Sequence, residues 1–211
     1  MNTTLSNSPI TLADALTRRD ERDQTLLIDA ALVISFAVLT AAAAQIRFNL
    51  PFTPVPITGQ TFVVLLAGTT LGMKRGALSQ FVYWAVGVFM PFAWYANDET
   101  GSSISEGWNH AIGTSAGYLF GFVAAAAAVG YLAERGQDRS LATSLPAMLA
   151  GSAIIYVFGA WWLSIKLQIP VATGETNAIG LGVVPFLIGD LLKVVIAGVA
   201  APAAWRFLRR S

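Results

Sequence analysis

The chain has 211 residues, of which 55% are hydrophobic and only 12% are charged, and its mean hydropathy is +0.61. Because soluble domains carry about 25% charged residues, this composition indicates a membrane protein, and the length suits one transmembrane domain over residues 1–211. The net charge of +1 argues against a nucleic-acid partner, and the absence of cysteine excludes disulfides and thiolate metal sites.

The first 24 residues are polar and precede any apolar run. The segment RRDERDQ (18–24) mixes both charge signs, which is unlike the basic start and apolar centre of a secretory signal. We interpret residues 1–24 as a cytoplasmic tail. The tail is either a short helix at the surface or a mobile segment without a role.

Six apolar runs follow, and each is a candidate for a membrane-spanning helix, which needs about 20 residues. The second run is short. Only MKRG (73–76) separates it from the third run, so we expect a tight helical hairpin there. The sequence therefore predicts an all-α integral membrane bundle of six transmembrane helices. The predicted spans are residues 26–44, 58–72, 76–92, 115–133, 145–167 and 183–208.

The basic residues predict the orientation of these spans, because cytoplasmic loops are enriched in lysine and arginine. With six spans, ten of the 13 basic residues fall on the side of the two termini. Only Arg47 and Lys166 fall on the opposite side, and Lys193 lies inside the sixth span. Both termini are therefore expected in the cytoplasm.

Three long loops are expected on the outer side, at residues 45–57, 94–114 and 168–182. They are rich in proline, glycine and polar residues, which favour turns and extended chain over helix. Loops of this length are either binding loops and lids or ordinary connectors. The single histidine, His110, lies in the second loop, and we expect it to face solvent rather than to contact a ligand.

Two charges interrupt the apolar sixth span. Asp190 and Lys193 are three residues apart, so they share one face of the helix. A charge at the centre of a spanning helix costs about 2.5–3.5 kcal/mol on insertion scales, so both must pair or face a polar cavity. They form either a structural ion pair that fixes helix packing or a polar anchor for a ligand that enters from outside. We favour the anchor.

Other polar residues lie at the same end of the predicted bundle, because the second, fourth and sixth helices all begin there. Together with the charged pair they predict a ligand pocket with apolar walls beneath the outer loops. Each has a structural alternative, such as helix bridging by the glutamine or an interfacial belt for the aromatics. The predicted ligand-binding residues are Thr58, Gln60, Trp94, Gly117, Tyr118, Asp190 and Lys193.

Sequence motifs of catalysis are missing. The chain contains no HExxH, GxSxG or GxxxxGK[ST] pattern, and one histidine cannot form a two-histidine metal site. We therefore expect neither an enzyme nor a metal or organic cofactor. If ATP drives transport of a ligand, another chain must hydrolyse it.

Three stretches carry a family resemblance: PVPITGQTFVVLLAGTTLGMKRGALS (54–79), GTSAGYLFGF (113–122) and GDLLK (189–193). With them the chain resembles the BioY family, the biotin-specific substrate-binding subunits of energy-coupling factor transporters. The resemblance implies a multi-pass subunit of the bacterial inner membrane that binds biotin near the outer face of the lipid bilayer. It also implies a transmembrane coupling (T) subunit and two cytoplasmic ATPase subunits as partners.

The resemblance implies roles for particular residues. Ala37 and Ala41 resemble the small-residue surface that meets the coupling subunit. Asp190 could accept hydrogen bonds from the ureido N–H groups of biotin, and Lys193 could donate to its carbonyl or pair with its carboxylate. Two alternatives stay open: a subunit of the same class for another vitamin, and a stand-alone carrier that needs no ATPase.

Overall fold

The computed structural model describes residues 11–17, 22–89, 94–95 and 104–208, and this part of the chain is mostly helical. A bundle of long helices is joined by short helices and one small β-ribbon. The helices are α1 (Leu12–Leu16), α2 (Arg22–Ala44), α3 (Gln60–Leu71), α4 (Met73–Phe89), α5 (Ile104–Ala111), α6 (Ala116–Glu134), α7 (Leu141–Leu167), α8 (Ala178–Gly182) and α9 (Leu187–Leu208), and a 3-10 turn (Val184–Phe186) precedes α9.

Four helical segments in the described part are long and apolar enough to cross a membrane. Two others are shorter than the roughly 30 Å hydrocarbon core. Helix α3 has 12 residues and α4 has 17, so at 1.5 Å per residue they reach only about 18 and 25 Å. The four long segments are Thr25–Ala44, Ala116–Glu134, Leu141–Leu167 and Ala178–Leu208.

The junction between α3 and α4 differs from the predicted loop at residues 73–76. Only Gly72 separates the two helices, so Lys74 and Arg75 lie in the first turn of α4. Gly72 has a φ of 84°, a conformation that glycine adopts without strain, and this single residue redirects the chain. The carboxylate of Glu134 accepts a hydrogen bond from the backbone N–H of Met73 at 2.8 Å, which satisfies one free donor at the start of α4.

Helix α6 lies at the centre of the bundle and packs against α3, α4 and α7. Small residues permit the close approach. A Cβ atom on Gly68 would lie 2.7 Å from the carbonyl oxygen of Ala126, and one on Gly130 would lie 2.3 Å from the backbone of Gly72. Membrane helices commonly pack backbone to backbone at such positions.

Helix α2 corrects one implication of the family resemblance. Ala37 and Ala41 are only 1% and 7% exposed, because α2 packs this face against α3 and α4. The exposed face of α2 instead carries Ile34, Val38 and Leu39. The two alanines are therefore internal packing residues and cannot form a docking surface for another subunit.

The polar N-terminal segment is docked on the bundle where the structure describes it. Thr11, Leu12 and Ala13 are buried, and α1 packs against α3 and α9. The guanidinium of Arg75 binds Asp14 at 2.9 Å and Asp29 at 3.0 Å, so it ties α1 and α2 to the start of α4. This end of the bundle lies opposite the cavity described below.

Replacing Arg75 by alanine is expected to destabilise the protein by about 1–2 kcal/mol, because two charge-assisted contacts are lost at once. The melting temperature in detergent should fall by a few degrees, and a protease should cut the N-terminal segment faster. Exposed Lys74 is the matched control, and Lys74→Ala should change neither quantity. Equal melting temperatures for the two variants would contradict this role of Arg75.

A short β-ribbon lies at the other end. Strand β1 (Arg47–Phe48) pairs antiparallel with β2 (Ile57–Thr58), and β2 leads directly into α3. The hydroxyl of Thr53 in the ribbon loop donates a 2.7 Å hydrogen bond to the carbonyl oxygen of Leu181 in α8. The first and third predicted outer loops are thus in contact beside the cavity.

Candidate ligand-binding site

A cavity of about 590 Å³, including its open mouth, lies where α3, α6 and α9 begin. Apolar and aromatic side chains form most of its wall. The polar groups that line it are Thr58, Gln60, Thr61, Ser115, Asp190 and Lys193, and the rings are those of Tyr83, Tyr95, His110, Tyr118, Phe122, Tyr156 and Phe186.

The charged pair of α9 lies in this cavity. The ammonium of Lys193 contacts the Asp190 carboxylate at 2.6 Å, as expected for residues three apart on one helix face. Asp190 also lies in the first turn of α9, where the helix dipole favours a negative charge. The side chains are only 8% and 19% exposed, so the pair is largely shielded from solvent.

Two neighbouring helices complete the hydrogen bonds of Asp190. The Thr61 hydroxyl on α3 donates to Oδ1 at 3.1 Å, and the Tyr156 hydroxyl on α7 donates to Oδ2 at 2.7 Å. With Lys193, three donors reach this carboxylate, which has about four acceptor positions. One position at Asp190 therefore remains for a ligand donor.

Lys193 uses all three of its N–H groups. They donate to the Asp190 carboxylate, to the carbonyl oxygen of Thr58 and, at 3.2 Å, to the Thr61 hydroxyl. The two alternatives from the sequence are thus combined, because the pair is satisfied within the bundle and also lines a cavity. A ligand carbonyl can replace the long contact to Thr61 without leaving the ammonium unpaired.

A chain of hydrogen bonds through Thr58, Gln60 and Tyr83 continues from the charged pair along the cavity wall. The Thr58 hydroxyl donates to Gln60 Oε1 at 2.9 Å, and Gln60 Nε2 donates to the hydroxyl of Tyr83 at 2.7 Å. Gln60 is only 5% exposed, so these bonds fix its amide. Thr58 and Gln60 are therefore held rigidly beside Lys193, as a preformed binding surface requires.

Tyr118 lines the cavity and also joins three helices. Its hydroxyl donates to the carbonyl oxygen of Gly182 in α8 at 2.6 Å. Its ring lies against Gly159 of α7, where a Cβ atom would be 2.2 Å from the ring. Tyr118 therefore holds α8 against α6, and the hydrogen of its hydroxyl is already donated.

Gly117 and Trp94, which the sequence predicted as binding residues, are not among the residues that line the cavity. A Cβ atom on Gly117 would lie 2.3 Å from Cβ of Trp162, so this glycine permits α6 to contact α7. Trp94 stacks on Tyr83 and donates from Nε1 to the Tyr83 carbonyl oxygen at 2.7 Å. It supports the ring of Tyr83 from outside the cavity.

The structure also brings in residues that the sequence did not single out. Thr61 and Tyr156 were missed as partners of Asp190. Thr61 is adjacent to Gln60, so the polar start of α3 was a usable signal. Tyr156 is an isolated hydroxyl in an apolar helix, which gives no pattern from which its direction could be read.

His110 differs from its expected place in solvent. It lines the cavity from the last turn of α5, and its ring stacks on Tyr95 at a centroid distance of 5.1 Å. Burial lowers the pKa of the His110 imidazole, so the ring is neutral in the ligand-free protein at neutral pH. Helix α5 was not predicted, because its residues read as a polar loop.

Comparison with known proteins decides the family. The family model described as the BioY family matches residues 14–210. The chain belongs to the BioY family.

Several BioY relatives match most of the chain. The Biotin transporter BioY of Thermotoga maritima is 35% identical over 79% of this chain and 89% of its own length. The protein of that name from Rhodobacter capsulatus is 33% identical over 86% of this chain and 92% of its own length. A solved structure, the S-component for biotin from an ECF-type ABC transporter, has the same fold, with a TM-score of 0.71. It is 22% identical and covers 92% of this chain and 96% of its own.

Proposed function

We propose that this chain is the biotin-binding membrane subunit of an energy-coupling factor transporter and mediates biotin uptake. One observation carries the proposal: the acid–amine pair lies in an aromatic cavity of a BioY-family chain. The relatives named above are described as biotin transporters rather than enzymes. We therefore propose that the cavity of this chain binds biotin and releases it chemically unchanged.

The chemistry of biotin matches the cavity. Its ureido ring carries two N–H donors and one carbonyl oxygen, and the rest is an apolar thioether ring, an alkyl chain and a carboxylate. The open acceptor position of Asp190 suits a ureido N–H, and the Lys193 ammonium suits the ureido carbonyl. Such charge-assisted bonds are roughly twice as strong as neutral ones. The rings of Tyr118 and Phe122 suit the apolar part.

The proposal includes six spans, with both termini in the cytoplasm of a bacterial cell and the cavity near the outer face. In it, α3 and α4 count as two short spans. The distribution of basic residues supports this topology, since Lys74 and Arg75 then lie at the cytoplasmic surface. Modification of single introduced cysteines by an impermeant reagent would test it, because the natural chain has none.

The proposal also includes partner subunits: a transmembrane coupling subunit and two cytoplasmic ATPases. The sequence supports this because it carries no phosphate-binding loop of its own. The alternative of a stand-alone carrier predicts biotin uptake into liposomes that contain only this chain. The transporter proposal predicts ATP-dependent uptake only after the partner subunits are added.

Calorimetric titration of the detergent-purified chain tests the ligand. We expect one molecule of biotin to bind per chain with a dissociation constant below about 1 μM, which corresponds to about 8 kcal/mol. Thiamine and riboflavin are the controls for the alternative of another vitamin. Binding of either of them in place of biotin would overturn the proposed substrate.

A further inference from the structure

The carboxylate of a biotin-like ligand needs a partner that the charged pair does not supply. Asp190 and Lys193 neutralise each other, and the proposed function assigns to the ureido carbonyl the one N–H of Lys193 that a ligand can take over, the long contact to Thr61. An anion held in a low-dielectric cavity is costly unless a donor meets it. The ligand end that carries the charge therefore requires a different group on the cavity wall.

Most donors on the wall are already committed. The hydroxyls that line the cavity donate to protein oxygens, with the exception of Ser115 among the described residues. These hydroxyls belong to Thr58, Thr61, Tyr83, Tyr95, Tyr118 and Tyr156. In residues 11–17, 22–89, 94–95 and 104–208, the His110 ring makes a stacking contact and no side-chain hydrogen bond. His110 thus lines the cavity with a ring N–H that no side-chain hydrogen bond uses.

The position of His110 suits a ligand of extended shape. Four side chains follow one another along the cavity wall: Gln60, Tyr83, Tyr95 and His110. From Gln60, which is held beside Lys193 by Thr58, the contacts run to Tyr83, then edge-on to Tyr95 at 5.7 Å, then to His110 at 5.1 Å. The charged pair and His110 lie at opposite ends of this series of contacts, with apolar ring surface between them.

Ser115 and the start of α6 provide further groups that favour an anion at the His110 end of the cavity. Ser115 precedes the first turn of α6, a 19-residue helix whose dipole places partial positive charge there. Its hydroxyl makes no capping hydrogen bond. A short turn after α5 joins it to His110, since Gly113 N–H donates to the His110 carbonyl oxygen at 3.1 Å.

From these observations we infer that His110, assisted by Ser115, binds the ligand carboxylate, and that the Asp190–Lys193 pair binds the polar ring at the other end. This inference rests on the proposed function. A neutral and a protonated imidazole both have an N–H donor, so His110 can donate a hydrogen bond to a carboxylate without first taking up a proton. His110 thereby selects ligands that end in a carboxylate over neutral ligands of the same shape.

The test compares biotin with biotin amide, which has nearly the same shape and no charge, on the full chain in detergent. We expect the wild type to bind biotin about 10- to 100-fold more tightly than the amide, as for a hydrogen bond to a charged group. His110→Phe keeps a ring that can stack on Tyr95 but has no N–H. This variant should lose the preference for biotin while its affinity for the amide stays within about twofold.

The second variant, His110→Gln, keeps an N–H donor but has no ring. It also tests the inference if His110→Phe folds poorly. It should keep part of the preference for biotin. A wild-type preference that survives in both variants would overturn the inference, and so would equal weakening of biotin and amide in both. A wild type that binds neither molecule overturns the proposed function and, with it, this inference.

Discussion

Replacing Lys193 by alanine is expected to weaken biotin binding by about 30- to 3,000-fold, the usual cost of removing one partner of a buried, hydrogen-bonded charge pair. Two effects add: the ligand loses a charged donor, and Asp190 loses its ion-pair partner in a shielded site. Calorimetric titration measures the change. Lys166→Ala is the matched control, because Lys166 is exposed and should leave the affinity unchanged.

A double variant separates ligand binding from a purely structural role of the pair. Asp190→Asn with Lys193→Met removes both charges, and such replacements of buried pairs are often neutral or stabilising. We expect it to melt near the wild-type temperature and still fail to bind biotin. Wild-type affinity in the double variant would show that the pair only fixes helix packing.

Gly117→Ala is expected to destabilise the bundle by about 1–3 kcal/mol, the usual cost of overpacking. The added Cβ would lie 2.3 Å from Cβ of Trp162 and 2.4 Å from the carbonyl oxygen of Phe158. Because one of these atoms belongs to the backbone of α7, the helices must move apart. For a chain of this size the melting temperature should fall by about 2–12 °C.

Gly189 is the matched control for Gly117. It also lies in a helix, directly before Asp190, but a Cβ atom there would meet nothing within 4 Å. Gly189→Ala should therefore keep or slightly raise the melting temperature, since alanine favours helix by up to about 1 kcal/mol. Equal melting temperatures for Gly117→Ala and Gly189→Ala would contradict the packing role of Gly117.

The general placement of the cavity was predictable from the sequence. The starts of α3, α6 and α9 were each marked by polar residues within apolar runs, and the structure brings Gln60, Tyr118 and Asp190 to one cavity. Spacing alone also placed Asp190 and Lys193 on one helix face. These features depend only on the local sequence and on the direction in which each helix runs, and both can be read from the order of the residues.

The detailed contacts were not predictable. The direction of Tyr156 depends on how α7 is rotated against α6 and α9, and glycines that permit close backbone approach set that rotation. The break at Gly72 depends on one positive φ angle and on a cap from Glu134, which is distant in sequence. His110 lies in α5, whose polar composition read as loop. In each case, the deciding contact joins residues far apart in the chain.

A structure of the purified chain with biotin bound would show the binding mode. We expect the ureido ring within hydrogen-bond distance of Asp190 and Lys193, with the carboxylate toward His110. Biotin bound outside this cavity, with the contacts of Asp190 to Lys193, Thr61 and Tyr156 unchanged, would overturn the proposed site.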